Sequence, residues 1–118
     1  MSIIKRCSNV VHLDLSQNEI TSKGVKKVFK SLMSNTSLIS LSIGNHENIQ
    51  KNKIGQKGIP KLSALLKTSQ VLQFLDVRGT VLCDPGIIEL CEGLKNNKTL
   101  LVLNISKNDI TVSGVQTL

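Results

Sequence analysis

The sequence lacks most of the features that mark an enzyme, a membrane protein or a secreted protein. It has no tryptophan or tyrosine, and only two phenylalanines and two prolines in 118 residues. No apolar run approaches the ~20 residues of a membrane-spanning helix, and the first residues lack the apolar segment of a secretion signal. The three cysteines are scattered, odd in number and without metal-ligand spacing. We therefore expect reduced thiols and a cytoplasmic location.

Residues that could carry out chemistry are equally scarce. The two histidines, His12 and His46, have no nucleophile or carboxylate at a spacing that indicates a catalytic triad. The eight glycines form no phosphate-binding loop. Asp14 and Asp76 are expected on a common face but two strands apart, at about 10 Å or more. The sequence therefore predicts no catalytic residue, no cofactor and no metal site.

One pattern recurs four times along the chain. The copies start near residues 10, 38, 72 and 100, so they are spaced by 28, 34 and 28 residues. The period is therefore 28 residues, and the second copy carries six inserted residues. Each copy has alternating apolar positions, a polar residue, another apolar residue and a glycine. In the first copy these positions are Val10, Leu13, Leu15, Asn18, Ile20 and Gly24.

Each copy combines the periodicity of a short strand with that of a helix. Leu13 and Leu15 alternate with polar residues, as in a strand with one buried face. An apolar stripe at helical spacing follows. The polar residue between them is expected to bond the backbone where the chain turns, and Thr80 can satisfy fewer groups there than asparagine. This residue is Asn18, Asn52, Thr80 and Asn108 in the four copies.

The helix boundaries can also be predicted. Ser22 and Asp84 stand where an N-cap belongs, and Pro85 then falls at the first helical position, which suits its missing N–H. Pro60 lies about a turn inside the second helix. We therefore expect that helix to start late or irregularly.

The repeat resembles that of leucine-rich repeat proteins, and its period is similar to that of the ribonuclease-inhibitor-like subtype. This subtype also occurs in nucleotide-binding immune receptors and in bacterial effectors delivered into host cells. The resemblance implies an α/β fold, a right-handed solenoid with a parallel concave sheet and convex α-helices. It implies one domain of about four repeats over 1–118, acting as a non-catalytic module that binds a protein partner. For a delivered effector, the cytoplasmic location would be the host-cell cytosol.

The predicted binding site is the concave strand face, whose residues follow from the repeat register. Phe74 is a large apolar side chain at an outward position, and Asp76 and Arg78 lie beside it. Phe74 is either a binding residue, a residue covered by the insert, or a single exposed apolar residue without a role. The predicted concave residues are His12, Asp14, Ser40, Ser42, Phe74, Asp76, Arg78, Val102 and Asn104.

The insert in the second copy is the other candidate binding element. Insertions in repeat proteins form loops on one face, often the binding face. Long surface loops are also tolerated without any role, because they cost little entropy. The candidate residues of the insert are His46, Glu47, Ile49 and Lys51.

The net charge of +7 leaves two alternatives open. Lysines on the outer face of the first helix form either a solvated stripe or a site for an acidic partner or surface. No aromatic residues accompany them to stack on bases, so we expect no specific nucleic acid partner.

The register also places both chain ends inside helices, without evident capping units. Three alternatives follow from this placement. The chain is the recognition part of a larger signalling or effector protein, or it self-associates by stacking end to end, or it is a monomer with frayed ends.

Overall fold

A computed structural model describes residues 10–45 and 52–115 of the chain. Short strands alternate with helices throughout these residues. The strands are β1 (His12–Asp14), β2 (Ser40–Ser42), β3 (Phe74–Asp76) and β4 (Val102–Asn104). The helices are α1 (Ser22–Leu32), α2 (Gly55–Thr68), α3 (Cys83–Leu94) and α4 (Val112–Val115). No helix among these residues is both long and apolar enough to cross a membrane.

The four strands form one parallel sheet in the order β1-β2-β3-β4. Each strand pairs with the equivalent strand of the next repeat, so Leu13, Leu41, Leu75 and Leu103 lie in one row. Successive helices also pack against each other in chain order. The repeat register predicted from the sequence is therefore confirmed, and the 34-residue spacing causes no slip between β2 and β3.

The core lies between the sheet and the helices and is almost entirely aliphatic. Leu41 and Leu75 in the two middle repeats are each 1% exposed. Their equivalents in the outer repeats, Leu13 and Leu103, are only partly buried. Phe29 is the aromatic residue of this core. Burial of each repeat therefore depends on a neighbour on both sides, as expected for a solenoid.

Asparagine side chains bond the turns of consecutive repeats together. The Oδ1 atom of Asn52 accepts hydrogen bonds from the backbone N–H groups of Asn18 and Ile20, at 3.0 and 2.8 Å. Its Nδ2 atom donates to the carbonyl oxygens of Leu15 and Ile43, both at 2.8 Å. One buried amide thus satisfies four backbone groups that the turns would otherwise leave unpaired.

Thr80 occupies the same position in the third repeat and satisfies fewer groups, as predicted. Its hydroxyl donates to the carbonyl oxygen of Val77 at 2.6 Å. The second repeat is bonded by the backbone carbonyl of Thr80, which accepts from the N–H groups of Ile54 and Gly55. One of the missing bonds, to the N–H of Asn52, is supplied by Asn45, which the sequence analysis did not single out. Asn45 Oδ1 accepts from the N–H of Asn52 at 3.0 Å, and its Nδ2 donates to the carbonyl oxygen of Gly79 at 2.9 Å.

Two of the predicted helix caps were wrong. The N-cap of α1 is Thr21, not Ser22, and its hydroxyl accepts from the N–H of Gly24 at 3.3 Å. Helix α3 begins at Cys83, so Asp84 lies in its first turn rather than at its N-cap. Pro85 is accordingly the third helical residue and not the first. The carboxylate of Asp84 bonds the next repeat instead of its own helix.

The predicted late start of the second helix was also wrong. Helix α2 begins at Gly55 and runs through Pro60. Its start is nevertheless irregular, because Gly55 has a φ of 59° and Ile54 makes no side-chain cap bond. Glycine adopts this left-handed conformation without the Cβ clash that other residues suffer, so the chain can enter the helix before the proline.

Candidate binding face

Two rows of side chains point away from the helices and form the concave face. The first row follows the opening residue of each strand, and the second follows the closing residue. The structure therefore brings together eight of the nine predicted concave residues, and Arg78 lies just beyond β3. The first row is His12, Ser40, Phe74 and Val102, and the second is Asp14, Ser42, Asp76 and Asn104.

An apolar pair stands at one end of the first row. Phe74 and Val102 are register partners on β3 and β4 and are 40% and 51% exposed. Leu101, immediately before Val102, is 69% exposed. Ser40 on β2 is too small to cover Phe74 from the other side. Phe74 is therefore not buried by the described part of the chain, and the pair offers an accessible apolar surface.

The second row is polar, and three of its side chains accept hydrogen bonds from the backbone of the turns that follow their strands. Asp14 Oδ1 accepts from the N–H of Ser16 at 2.9 Å, and Asp76 Oδ1 accepts from the N–H of Arg78 at 3.0 Å. Asn104 does the same for Ser106 at 3.1 Å. These are Asx turns, in which a side chain bonds its own backbone two residues on. Each of these predicted binding residues therefore has a local structural role.

The second repeat departs from this pattern because its turn begins with Gly44. A Cβ atom at Gly44 would lie 2.6 Å from Asp76 Oδ1 and 2.9 Å from the backbone nitrogen of Arg78. The side chain of Asp76 therefore packs directly over Gly44. Next to it, Ser42 Oγ and Arg78 Nε are buried and have no hydrogen-bond partner among the described residues.

The candidate residues of the insert, His46, Glu47, Ile49 and Lys51, lie outside the described residues. The two residues that flank the insert are bonded to each other. The N–H of Asn52 donates to Asn45 Oδ1 at 3.0 Å, and Asn45 Nδ2 donates to the carbonyl oxygen of Asn52 at 3.0 Å. The insert therefore leaves and rejoins the fold at one closed point near the end of β2.

A groove of about 440 Å³ runs along the edge of the sheet where the strands begin. The sequence analysis did not predict it, because its walls come from the helix-to-strand loops of three repeats. Leu101 forms part of the groove and so connects it with the apolar pair. The lining residues are Thr36, Ser37, Ile39, Gln70, Val71, Gln73, Lys98, Thr99 and Leu101.

The acidic, histidine and cysteine side chains of the described residues are dispersed over the fold. No group of three or more histidine, cysteine, aspartate or glutamate side chains converges among these residues. Asp14 and Asp76 are separated by β2 in the sheet order. Asp84, on the helical side, has a clearly altered pKa. Hydrogen bonds from the hydroxyl and N–H of Thr111 lower the pKa of its carboxyl below the ordinary value of 3.8.

Comparison with known proteins identifies the repeat. The Leucine Rich repeat family matches residues 6–29 and 96–118. The described residues form a parallel sheet with one helix per repeat. This chain is a leucine-rich repeat protein. Its fold class, an α/β leucine-rich repeat solenoid, is the predicted one.

The curated relatives that this chain matches are much longer than the chain itself. It is 31% identical over 115 residues to FERM domain-containing protein C of Dictyostelium discoideum, covering 97% of this chain and 7% of that protein. It is 28% identical over 141 residues to NACHT, LRR and PYD domains-containing protein 4C of Mus musculus, covering 99% and 14%. Protein 13 of the same description, from Homo sapiens, is 29% identical over 109 residues, covering 92% and 10%.

Among solved structures, the leucine-rich repeat chain is similar to the tropomodulin C-terminal domain of Caenorhabditis elegans. The TM-score is 0.79 with 12% sequence identity, and the match covers 98% of this chain and 70% of that one. At this identity the likeness concerns the fold alone. Assignment to the ribonuclease-inhibitor-like subtype stays a prediction from the 28-residue period.

Proposed function

We propose that this chain is a protein–protein interaction module that binds a protein partner on its concave face. The observation that carries the proposal is the exposed apolar pair Phe74 and Val102, held side by side by the pairing of β3 and β4. Aromatic side chains near the centre of an interface are over-represented among residues that dominate binding energy. The pair is rigid, because both residues sit on strands of the sheet.

Polar groups around the pair supply the directional part of the site. Ser40, the register partner of Phe74 on β2, has a small side chain, so a partner side chain has room to lie against the ring. Ser42 Oγ and Arg78 Nε are buried polar atoms without a hydrogen-bond partner in the described chain, so a docking protein does not reach them. Asp76 and Asn104 are register partners beside the pair and are only half-buried. We propose these two side chains as polar contacts next to the apolar anchor.

We further propose that the module is non-catalytic, takes no cofactor and works in the cytoplasm as the recognition part of a larger signalling or effector protein. The chain spans about a tenth of the length of the curated relatives it matches. Two of those relatives are named for leucine-rich repeats together with NACHT and PYD domains. This combination supports a leucine-rich repeat array that recognises a partner for other domains.

The proposal is tested with two matched double variants. Phe74→Ala with Val102→Ala removes the apolar pair of the concave face. Ile88→Ala with Val112→Ala removes two apolar side chains that are 48% and 74% exposed on the helical side. Each chain is immobilised and exposed to an extract of the cells that express it, and the retained proteins are quantified.

The proposal expects at least one protein to be retained by the wild type and the helical-side variant and lost from the concave variant. Loss of a hot-spot pair should weaken binding by about thirtyfold or more. Equal retention by all three chains would refute the concave face as the site. Thermal unfolding of each variant shows whether a loss reflects the surface rather than the fold.

Self-association by stacking is a second candidate function, favoured by the shape of the fourth repeat. A hollow of about 290 Å³ lies there, lined by Leu94, Asn97, Leu100, Leu101, Val102 and Leu103. Stacking predicts a mass by light scattering that rises with concentration and falls after Leu101→Lys, which places a charge at the hollow. A mass that stays constant over a hundredfold concentration range would exclude it.

A further inference from the structure

The outer face of the first helix is a dense cluster of lysines. Helix α1 buries Val25, Val28 and Phe29, which are 0–1% exposed, and turns all of its lysines to solvent. Neither α1 nor α2 contains an acidic residue. We call the cluster the lysine patch, and it consists of Lys23, Lys26, Lys27 and Lys30 on α1 with Lys57 and Lys61 on α2.

The lysine patch brings like charges together in two directions. Along α1, Lys23 and Lys27 are four residues apart, as are Lys26 and Lys30, and like charges at this spacing destabilise a helix. Across the helices, Lys57 and Lys61 occupy the repeat positions of Lys23 and Lys27 on the adjacent α2. Packed helices lie about 8–10 Å apart, a distance similar to the Debye length of ~8 Å. Salt therefore screens the repulsion between their lysines only in part. The fold itself gains nothing from this arrangement.

The patch is confined to the first two helices. At the repeat positions of Lys57, Lys61 and Ala64, helix α3 has Pro85, Glu89 and Glu92. Both glutamates are exposed. The excess positive charge is therefore concentrated on one part of the helical side rather than spread evenly, which is the condition for attraction to an anionic surface.

We propose that the lysine patch docks the helical side of this protein onto an anionic lipid bilayer surface. The apolar stripe of α1 is already used in the core, so α1 can neither insert into lipid nor bind in a groove of another protein. Lysine is a compact, strongly hydrated point charge and lacks the planar fork with which arginine recognises single carboxylates or phosphates. Such a patch suits a diffuse array of headgroup charges.

Nucleic acid fits the patch less well than lipid. No aromatic side chain lies among these lysines to stack on the bases of a single strand. A duplex is bound tightly when many phosphates are neutralised along grooves, and the outward-curving side of a solenoid contacts few of them. An anionic bilayer is charged over its whole surface, so the lysines need not match a groove. The concave face would remain open to a protein partner, so the proposal is independent of the proposed function.

The test is cosedimentation with phosphatidylcholine vesicles that contain or lack phosphatidylserine, at low and high salt. A lysine near an anionic surface contributes about fivefold to the partition coefficient. The variant Lys26→Gln, Lys27→Gln, Lys30→Gln should therefore weaken binding to phosphatidylserine vesicles by about a hundredfold. The matched control, Lys95→Gln, Lys98→Gln, Lys107→Gln, has the same net charge but keeps the patch.

The proposal expects binding only to phosphatidylserine vesicles, weakened by salt, lost from the patch variant and retained in the control. An equal loss in the two variants would show that net charge alone is responsible and would overturn it. Failure of the wild type to bind would do the same. Duplex DNA is tested at the same ionic strength, and tighter binding to DNA through the same lysines would overturn the lipid assignment. Unfolding curves confirm that both variants are folded.

Discussion

The side chain of Asn45 donates a hydrogen bond to the carbonyl oxygen of Gly79 at 2.9 Å, across 34 residues of sequence. The bond joins the second repeat to the third at the place where Thr80 interrupts the series of asparagines. Asn45 is 2% exposed and also bonds the N–H and carbonyl groups of Asn52. Asn45, the residue that precedes the insert, therefore compensates in part for the asparagine that is replaced by threonine at position 80.

This compensation predicts a specific double-mutant cycle. Asn45→Ala leaves buried groups of Asn52 and Gly79 unpaired and should destabilise the fold by on the order of 3 kcal/mol. Thr80→Asn alone should change little, since the groups it would bond are already bonded. In the Asn45→Ala background, Thr80→Asn should restore about 1 kcal/mol or more, because its side chain can accept from Asn52. Urea denaturation of the four chains measures the coupling, and strictly additive effects would contradict it.

The asparagine of the fourth repeat, Asn108, should contribute more to the stability of the fold than that of the first repeat, Asn18. Asn108 is 1% exposed, accepts from Thr80 and Leu82, and donates to the carbonyl oxygen of Val77. Asn108→Ala should cost about 3 kcal/mol or more, since it leaves several buried groups unpaired. Asn18→Ala is the control, because Asn18 is exposed and its side chain, among the described residues, bonds only its own turn. A similar loss of stability in both variants would argue against bonding between repeats.

Val81 is a β-branched residue in the left-handed region, with a φ of 62°. The same repeat position is Glu19 at 57° and Asp109 at 54°. Asparagine tolerates this region far better than valine, so Val81→Asn should raise the free energy of unfolding by about 1 kcal/mol. Val112→Asn, at a helical position where the two residues have similar propensity, should be nearly neutral. Chemical denaturation compares the two variants with the wild type. A lower free energy of unfolding for Val81→Asn would contradict backbone strain at Val81.

Asp84 should make stability depend on pH below its ordinary pKa. Its carboxylate accepts from the N–H of Thr111 at 2.8 Å and from the Thr111 hydroxyl. These bonds lower its pKa in the folded state, so its contribution is complete above the unfolded value near 3.8 and is lost as pH falls through the lower folded value. Asp84→Asn and Thr111→Val should both show a smaller decline of the urea midpoint across this window than the wild type. If the urea midpoint of both variants declined as much as that of the wild type, the hydrogen bonds between Asp84 and Thr111 would be excluded as the cause of the decline.

The sequence predicted the parts of this structure that repeat, and missed those that depend on a neighbouring repeat. The strand rows followed from alternation and a fixed period, so Phe74 beside Val102 could be placed without coordinates. Asp84 was wrongly assigned as the N-cap of its own helix, because capping rules consider only residues adjacent in sequence. Its true partner, Thr111, lies 27 residues on. Asn45 was missed for the same reason, although an asparagine directly after a strand was a usable signal.

The most direct test of the concave face is site-specific photo-crosslinking. A benzoylphenylalanine is placed at Phe74 in one chain and at Ile88 in another, two positions with similar exposure on opposite sides of the sheet. The proposed function predicts that residue 74 crosslinks to a discrete protein in cell extract. Excess wild-type chain should prevent the crosslink, and the Phe74→Ala, Val102→Ala chain should not. Equal labelling from both positions, or labelling only from residue 88, would contradict it.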